Sequence, residues 1–555
     1  MHKVIAPIDN IEAMTLYDAA VFHGVRKPRL TALSYMGRRI SYGALANLID
    51  RYAAYLQAAG VRAGTHAALA LPNGVAFACL LYALNRLGAV AVLMNPKETP
   101  YELHEKLVKT DCEFFFYIEA FAHTVPKVVR LYDSKGALPK CCCVPLSAHL
   151  PVVLSAVMRA KGAKARRSHG KEMAALGQAL LPFKPLSVKA VIDPPHTDAA
   201  APAVILFSGG TTGTPKAVVH TSQSINAAAW ACVQTKQPIY EGEAFLALLP
   251  PFHIFGLTVS LHIALMAGTK CVLLPSFRSK GGAKAIVKHK PSFFAAVPLM
   301  VEKMLNTGLL QKAVDKGMNT SFFRQAFIGG DALSPELRDR FNGLIRQGGG
   351  SGLLEMGYGL SEICPVSFNH TEEHPEQSVG TVFGDTEVLI VSEEDNPVPV
   401  GQAGEICLCS PAAFLEYYKD EEETRQVLRY REDGRRWLYT GDMGYLTQDG
   451  QLCFLYRRKK ILKVNNCTVL ATAVEDCLCK LPYVRAACAV TDGQALKAYV
   501  AVSDGEKEAL AGKKTEILDH CRQYVSKTHV PHEIVLCTLS ELPVTLLGKI
   551  SFGKL

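Results

Sequence analysis

The sequence predicts a layered α/β protein with a separate small C-terminal unit, and three observations carry that expectation. Through roughly the first two hundred residues, short apolar runs alternate with helix-period stretches, an order that favours parallel sheet covered by helices. Over 388–411 the pattern changes to short strands broken by turns (VLIVSEEDNPVPVGQAGEICLCSP), as in a small barrel. The last stretch, from about Arg457, opens Lys-rich and returns to mixed strand and helix.

Taken in order, residues 42–59 (YGALANLIDRYAAYLQAA) place apolar side chains at helical spacing and stop at Gly60. HAALALP then reads as a strand, VAFACLLYALNRLG as a buried helix and AVAVLMNP as a further strand. A chain of 555 residues, 49% apolar and 20% charged, can bury a large core. That composition excludes disorder, collagen-like repeats and a short disulfide scaffold. Two stretches without Asp, Glu, Lys or Arg, 67–85 and 244–269, are long enough to span a bilayer. Pro72-Asn73-Gly74 breaks the first and Pro250-Pro251 with His253 the second, so strands, turns and buried helices are expected instead. The opening MHKVIAPIDNIEAM has acidic residues and no apolar core, unlike a signal peptide. A soluble, cytoplasmic protein is the expectation.

The 17 cysteines include no C-x-x-C pair. Cys407/Cys409 and Cys477/Cys479 are C-x-C spacings, which on a strand share one face and act as small apolar residues. Reduced thiols and no zinc site are expected. The net charge of +9 is local: residues 121–190 hold twelve Lys/Arg against two acids, so the rest of the chain is nearly neutral and nucleic-acid binding is not implied. Within that excursion, residues 144–158 lack charge and run straight into Arg159, Lys161, Lys164, Arg166, Arg167 and Lys171. An apolar segment beside a cationic cluster suits peripheral contact with an anionic membrane through 144–171; a buried helix followed by a solvated loop is the alternative.

The strongest motif follows the apolar run AVILF. Ser208-Gly-Gly-Thr-Thr-Gly-Thr-Pro-Lys216 combines three glycines that admit an anion to the backbone with four hydroxyls and a lysine that donate to phosphate. It differs from G-x-x-x-x-G-K-[ST], because proline precedes the lysine and no helix-type run follows. Together with LPPFHIFG (249–256), FIGGDALSPEL (327–337), GYGLSE (357–362), GEICLCSP (404–411), YTGD (439–442), YRRKKILK (456–463) and PVTLLGKI (543–550), it makes the chain resemble the adenylate-forming enzymes, the AMP-binding acyl-CoA synthetases and their relatives.

The resemblance implies a large N-terminal domain over 1–457, built of two α/β sheets plus a small β-barrel, and a small mobile α+β lid over 458–555. It implies attack of a carboxylate on the α-phosphate of ATP, release of pyrophosphate, and acyl transfer to CoA. On this likeness Ser208, Gly209, Gly210, Thr211, Thr212, Gly213 and Lys216 hold the β- and γ-phosphates. Glu362 holds Mg²⁺ together with Thr211, and Ser361 stands beside the α-phosphate. Tyr358 stacks on adenine, while Met356, Gly357 and Gly359 line the adenylate, and Gly329, Gly330 and Asp331 flank adenine and the acyl pocket. Asp442 and Arg457 take the ribose, His253 neighbours the substrate carboxylate, and Lys549 bridges that carboxylate and the α-phosphate. Lys459 is the hinge position and Lys463 belongs to the same nucleotide-facing motif.

Several positions depart from the family pattern. Asn466 stands where a glycine admits the pantetheine arm, Tyr456 replaces the motif's opening glycine, Ala471 replaces a downstream proline, and Ala217 replaces the glycine after the loop lysine. None removes a charged group, so adenylation is better supported than CoA transfer. The leading expectation is an ATP-dependent ligase joining an apolar, fatty acid to CoA. The alternatives are acyl transfer to a carrier-protein thiol and a weakened lipid-binding scaffold. Trp230, Gly256, Ala295 and Gly330 are the candidate pocket residues.

Overall fold

The apolar runs become the inner strands of two sheets that face one another across a layer of helices. The structure, a computed structural model, describes residues 10–132, 138–188, 192–208, 215–233, 239–457, 461–464, 467–491, 495–503, 507–538 and 541. In the seven-stranded sheet the spatial order is Glu416–Tyr417, Ala217–Thr221, Pro202–Phe207, Val90–Leu93, His66–Ala70, Phe114–Ile118 and Lys140–Val144. The strands from Pro202–Phe207 onward are parallel, and the first two run antiparallel to their neighbours.

The second sheet has fourteen strands. Its parallel half runs Thr31–Tyr35, Lys270–Leu273, Ala244–Ala247, Phe293–Ala296, Gln325–Ile328 and Leu353–Leu360, with Arg38–Ser41 as the antiparallel edge. Leu353–Leu360 then turns back on Ile363–Phe368 and opens an antiparallel half that holds Ser378–Val382, Gln451–Arg457, Arg436–Leu446, Gly404–Cys409 and Glu387–Val391. The strands expected of a small barrel belong to this half.

The helix Tyr42–Ala58 ends where expected, because Gly60 takes a positive φ of 99° that a side chain would oppose. The run after HAALALP forms the helix Val75–Arg86, buried almost all round. Both pack in the main core, which takes side chains from both sheets, Leu69 and Phe116 from one and Leu246 and Phe293 from the other. The opposite face of the seven-stranded sheet is covered by Leu103, Leu107, Val125, Val128 and Met173. Neither 67–85 nor 244–269 forms a span, and among the described residues no helix is long and apolar enough to cross a membrane.

A third core belongs to the C-terminal unit. Val464, Val474, Leu478, Val500, Ile517 and Ile534 form a cluster of their own, around the hairpin Ile461–Val464/Cys467–Leu470 and the sheet Val484–Thr491, Leu496–Val502, Glu533–Thr538. The described cysteines are all free thiols. Cys407 and Cys409 share a strand and a small cluster, as the spacing suggested. Cys477 and Cys479 lie instead on the helix Ala471–Cys479, where that spacing turns one thiol inward and the other outward.

Candidate active site

The Ser/Gly/Thr run joins two antiparallel strands. Phe207 pairs with Ala217, and the loop's ends are closed by Ser208 N–H donating to the Lys216 carbonyl at 3.0 Å and Lys216 N–H donating to Ser208 Oγ at 3.3 Å. Ala217 therefore sits in a regular ladder, buried in the core, where the backbone does not require glycine. Gly209, Gly210, Thr211, Thr212 and Gly213, inside the loop, lie outside the described residues, as do Lys459, Asn466 and Lys549. Lys463 stands on Ile461–Val464 opposite Thr468. Tyr456 pairs with Met443 in the antiparallel half.

Lys216 is held from one side. Its ammonium pairs with the Glu423 carboxylate and lies 4.6 Å from the centre of the Tyr417 ring, a cation–π contact. Tyr417 reaches this place because Glu416–Tyr417 adds to the edge of Ala217–Thr221. Its hydroxyl donates to Glu362 Oε1 at 2.6 Å. Burial, and then the charge of Glu362, push the Tyr417 phenol well above its ordinary value, so it remains a donor. One tyrosine thus connects the loop lysine to the expected metal carboxylate.

Ser361 and Glu362 form the turn between Leu353–Leu360 and Ile363–Phe368, so their sequence is not a helix cap. The turn is tied down twice: Phe414 N–H donates to the Glu362 carbonyl at 2.8 Å, and His220 Nε2 meets the Ser361 carbonyl at 2.8 Å. A carbonyl can only accept, so Nε2 carries the proton. Burial pushes His220 down to about 4 and keeps it neutral. Glu362 fits a hard, oxygen-seeking cation: Oε1 is oriented by Tyr417, and Oε2 has no hydrogen bond among the described residues. No cluster of three or more metal-ligating His, Cys, Asp or Glu side chains occurs among the described residues.

On the next strands, the Tyr358 hydroxyl donates to Asp442 Oδ2 at 2.6 Å and Arg457 Nε lies 3.3 Å from Oδ1. Asp442 and Arg457 stand opposite each other in the ladder between Arg436–Leu446 and Gln451–Arg457. Burial alone would lower Arg457, but the charges of Asp442 and Glu362 outweigh it and hold the guanidinium above its ordinary value. Burial and Asp442 together push the Tyr358 phenol far up. Tyr358 also packs 6.1 Å from the Phe454 ring.

The glycine motifs converge at the carboxyl ends of the parallel strands, where open α/β sheets bind ligands. A side chain at Gly329 would meet the Phe255 ring at 3.4 Å and the Gly357 carbonyl at 3.7 Å, so LPPFHIFG, FIGGD and GYGLSE share one place. Gly330 takes φ +87° against Val297. Met356 is the partner of Ile328 across the parallel ladder, and Asp331 Oδ1 accepts from Ala332 N–H at 3.0 Å. His253 caps the short helix Ile254–Gly256, which leads into the π-helical turn Leu257–His262. Among the pocket candidates, Ala295 is wholly buried in its strand. Gly256 is different: a Cβ there would lie 2.1 Å from the Pro250 carbonyl oxygen, so the backbone turn itself requires glycine.

Comparison with known proteins gives the family. The profile of the AMP-binding enzyme family matches residues 22–418, and that of the AMP-binding enzyme C-terminal domain matches 473–549. The chain belongs to the AMP-binding enzyme family. The long-chain-fatty-acid–CoA ligase of Bacillus subtilis (strain 168) is 28% identical, over 99% of this chain and 94% of that protein. The 4-coumarate–CoA ligase 2 of Oryza sativa subsp. japonica is also 28% identical, over 82% and 76%. In fold, the chain is similar to the anthranilate CoA ligase AuaEII in complex with anthranoyl-AMP (TM-score 0.75, 21% identity, 98% and 96% covered). It is likewise similar to a Mycobacterium tuberculosis fatty acyl CoA synthetase (0.69, 22%, 98% and 97%).

Three residues of this AMP-binding enzyme escaped the sequence reading: Tyr417, Glu423 and His220. Their signals were present, in the run EYYKDEEET and in the histidine of AVVH after the loop. What linked them to the site is strand pairing between distant segments, which spacing alone does not reveal.

Proposed function

We propose that this AMP-binding enzyme is an ATP-dependent acid–thiol ligase. It activates an apolar, fatty carboxylic acid as acyl-AMP with release of pyrophosphate, and then passes the acyl group to CoA. The observation that supports the reading is the set Lys216–Tyr417–Glu362 beside Tyr358–Asp442–Arg457, a cation, an oriented carboxylate and an acceptor suited to two ribose hydroxyls, with Arg457 feeling both Asp442 and Glu362. The chemistry consists mainly of positioning and charge neutralisation around phosphorus, which these groups provide. Lys216 and the loop hydroxyls hold the outer phosphates, Asp442 accepts from the ribose, and Tyr358 lines the adenine face. Mg²⁺ held by Glu362, with Thr211, would neutralise phosphate charge. Lys549 would meet carboxylate and α-phosphate in the first half-reaction.

We place the domain boundary after Arg457, with the C-terminal core as a lid that serves both half-reactions. A fatty acid is favoured by relatives named long-chain-fatty-acid–CoA ligase that cover nearly the whole chain. CoA is favoured over a carrier thiol by the same names. A membrane-partitioning acid would give peripheral contact through 144–171 a use. The test is pyrophosphate release over a panel of aliphatic and aromatic acids, with CoA, with an acyl-carrier protein, and with neither. Acid-dependent release with aliphatic chains, and thioester formation with CoA, are expected. Absence of acid-dependent release would overturn the ligase reading, and thioester formed only on the carrier would overturn the acceptor.

A further inference from the structure

The basic excursion leaves one helix face uncovered. The helix Val152–Ala175 joins the end of the charge-free run to the cationic cluster. This differs from the expected anchor over 144–158, because Val144 is a buried strand residue and Leu150 is buried before the helix begins. One face pins the helix to the body. Ser155, His169 and Met173 are buried there, and His169 Nε2 meets the Tyr117 hydroxyl at 2.6 Å. Gly162 lets the helix lie on the Glu119 carboxylate, where a Cβ would come within 2.3 Å. Arg166 pairs with that same carboxylate at 2.5 Å, which removes it from the free cations.

The opposite face is partitioned along its length. Its first turns expose Val152 (86%), Val153 (77%) and Val157 (44%), with Ala156 before Val157 and Ala160 after it also exposed. Isolated exposed valines are ordinary, but these follow one another on one helix end. The later turns expose Lys161, Lys164, Arg167 and Lys171 on the same side.

We infer that this face is a docking surface for an anionic phospholipid bilayer, with Val152, Val153 and Val157 entering the interface and the surrounding Lys and Arg meeting lipid phosphates. Charge complementarity selects the occupant. Apolar tips that enter between headgroups, followed along the same helix by exposed cations, match an anionic interface. An acidic protein would satisfy the cations but would need its own apolar socket for the valines. The inference does not depend on which acid the enzyme activates, because the surface lies outside the residues assigned to the active site.

The experiment is vesicle sedimentation of the full chain. Vesicles of phosphatidylcholine with phosphatidylglycerol, vesicles of phosphatidylcholine alone, and a free acidic acyl-carrier protein are the three probes. Wild type should bind the mixed vesicles and release in high salt. Val152→Asp/Val153→Asp and Lys161→Glu/Lys164→Glu/Arg167→Glu should each weaken binding at least about tenfold. Both keep the buried face, so circular dichroism and ATP binding should match wild type. Wild type remaining in the supernatant at low salt would overturn the proposal, as would both variants sedimenting like wild type. Retention by the carrier protein without vesicle binding would overturn it too, and would mark the face as a protein interface.

Discussion

Lys216 divides its charge between Glu423 and any phosphate it meets, so Glu423→Gln is expected to tighten ATP binding. The substitution keeps the side chain's size and removes its charge, while the cation–π contact with Tyr417 is untouched. The Lys216 and Glu423 side chains are 24% and 37% exposed. An ion pair that wet contributes about 0.2–1 kcal/mol once screening and side-chain entropy are counted. Releasing the lysine should therefore lower the ATP dissociation constant by roughly 1.5- to 5-fold at low salt, and by less at high salt. Equilibrium binding of ATP without the acid measures this directly, and KM for ATP in pyrophosphate release should follow it. In a Lys216→Met background the substitution should do nothing, which closes a double-mutant cycle. An unchanged or larger dissociation constant in Glu423→Gln would refute the reasoning and make Glu423 a positive contributor to the nucleotide site.

Four other outcomes are expected. Tyr417→Phe removes the donor at 2.6 Å from Glu362, a charge-assisted bond of about 1.5–3 kcal/mol, so the Mg²⁺ concentration for half-maximal turnover should rise about tenfold or more while circular dichroism is unchanged. Asp442→Asn weakens the links to Tyr358 and Arg457 and should raise KM for ATP about tenfold or more, with a smaller effect on KM for CoA. The third concerns acid. Burial pushes His149 down to about 4 and His262 to about 3, and His262 sits between Tyr82 and Asn226. The unfolded chain takes up protons near 6.5 while the folded one refuses them, so this stability is present above pH 6.5 and lost as pH falls toward 3–4. Chemical denaturation midpoints should fall over that window, and His262→Gln should flatten the slope. Finally, Gly380 takes φ +97°, with a Cβ position 1.9 Å from the Phe368 carbonyl carbon. Gly380→Ala should cost about 3 kcal/mol or more, read by the same denaturation.

Much of this was legible in the chain because the signals are local. The helix Tyr42–Ala58 and the strand His66–Ala70 followed from periodicity and from Gly60, whose positive φ marks the stop. The motif residues Lys216, Glu362, Tyr358, Asp442 and Arg457 were named from the family resemblance by type and order, and the fold links them through Tyr417 and the Asp442–Arg457 ladder pair. The reading of Cys477 and Cys479 as a strand pair failed, because a two-residue spacing does not say whether the backbone is strand or helix.

Tertiary pairing decided what spacing could not carry. Tyr417 lies some two hundred residues from Lys216 in sequence and reaches it only because Glu416–Tyr417 extends the edge of Ala217–Thr221. His220 locks the Ser361–Glu362 turn by the same route, through a hydrogen bond to a carbonyl that no sequence pattern names. The apolar and basic halves of the excursion, read as a segment and a cluster, form one helix whose buried and open faces were set by Gly162 and Arg166 packing on Glu119 and by His169 meeting Tyr117. By itself, then, the sequence determined the family chemistry and the local elements, since these depend on residue type and short-range period. Which distant side chains hold that chemistry in place, and which surface stays open, depends on burial and strand pairing that only the folded chain creates.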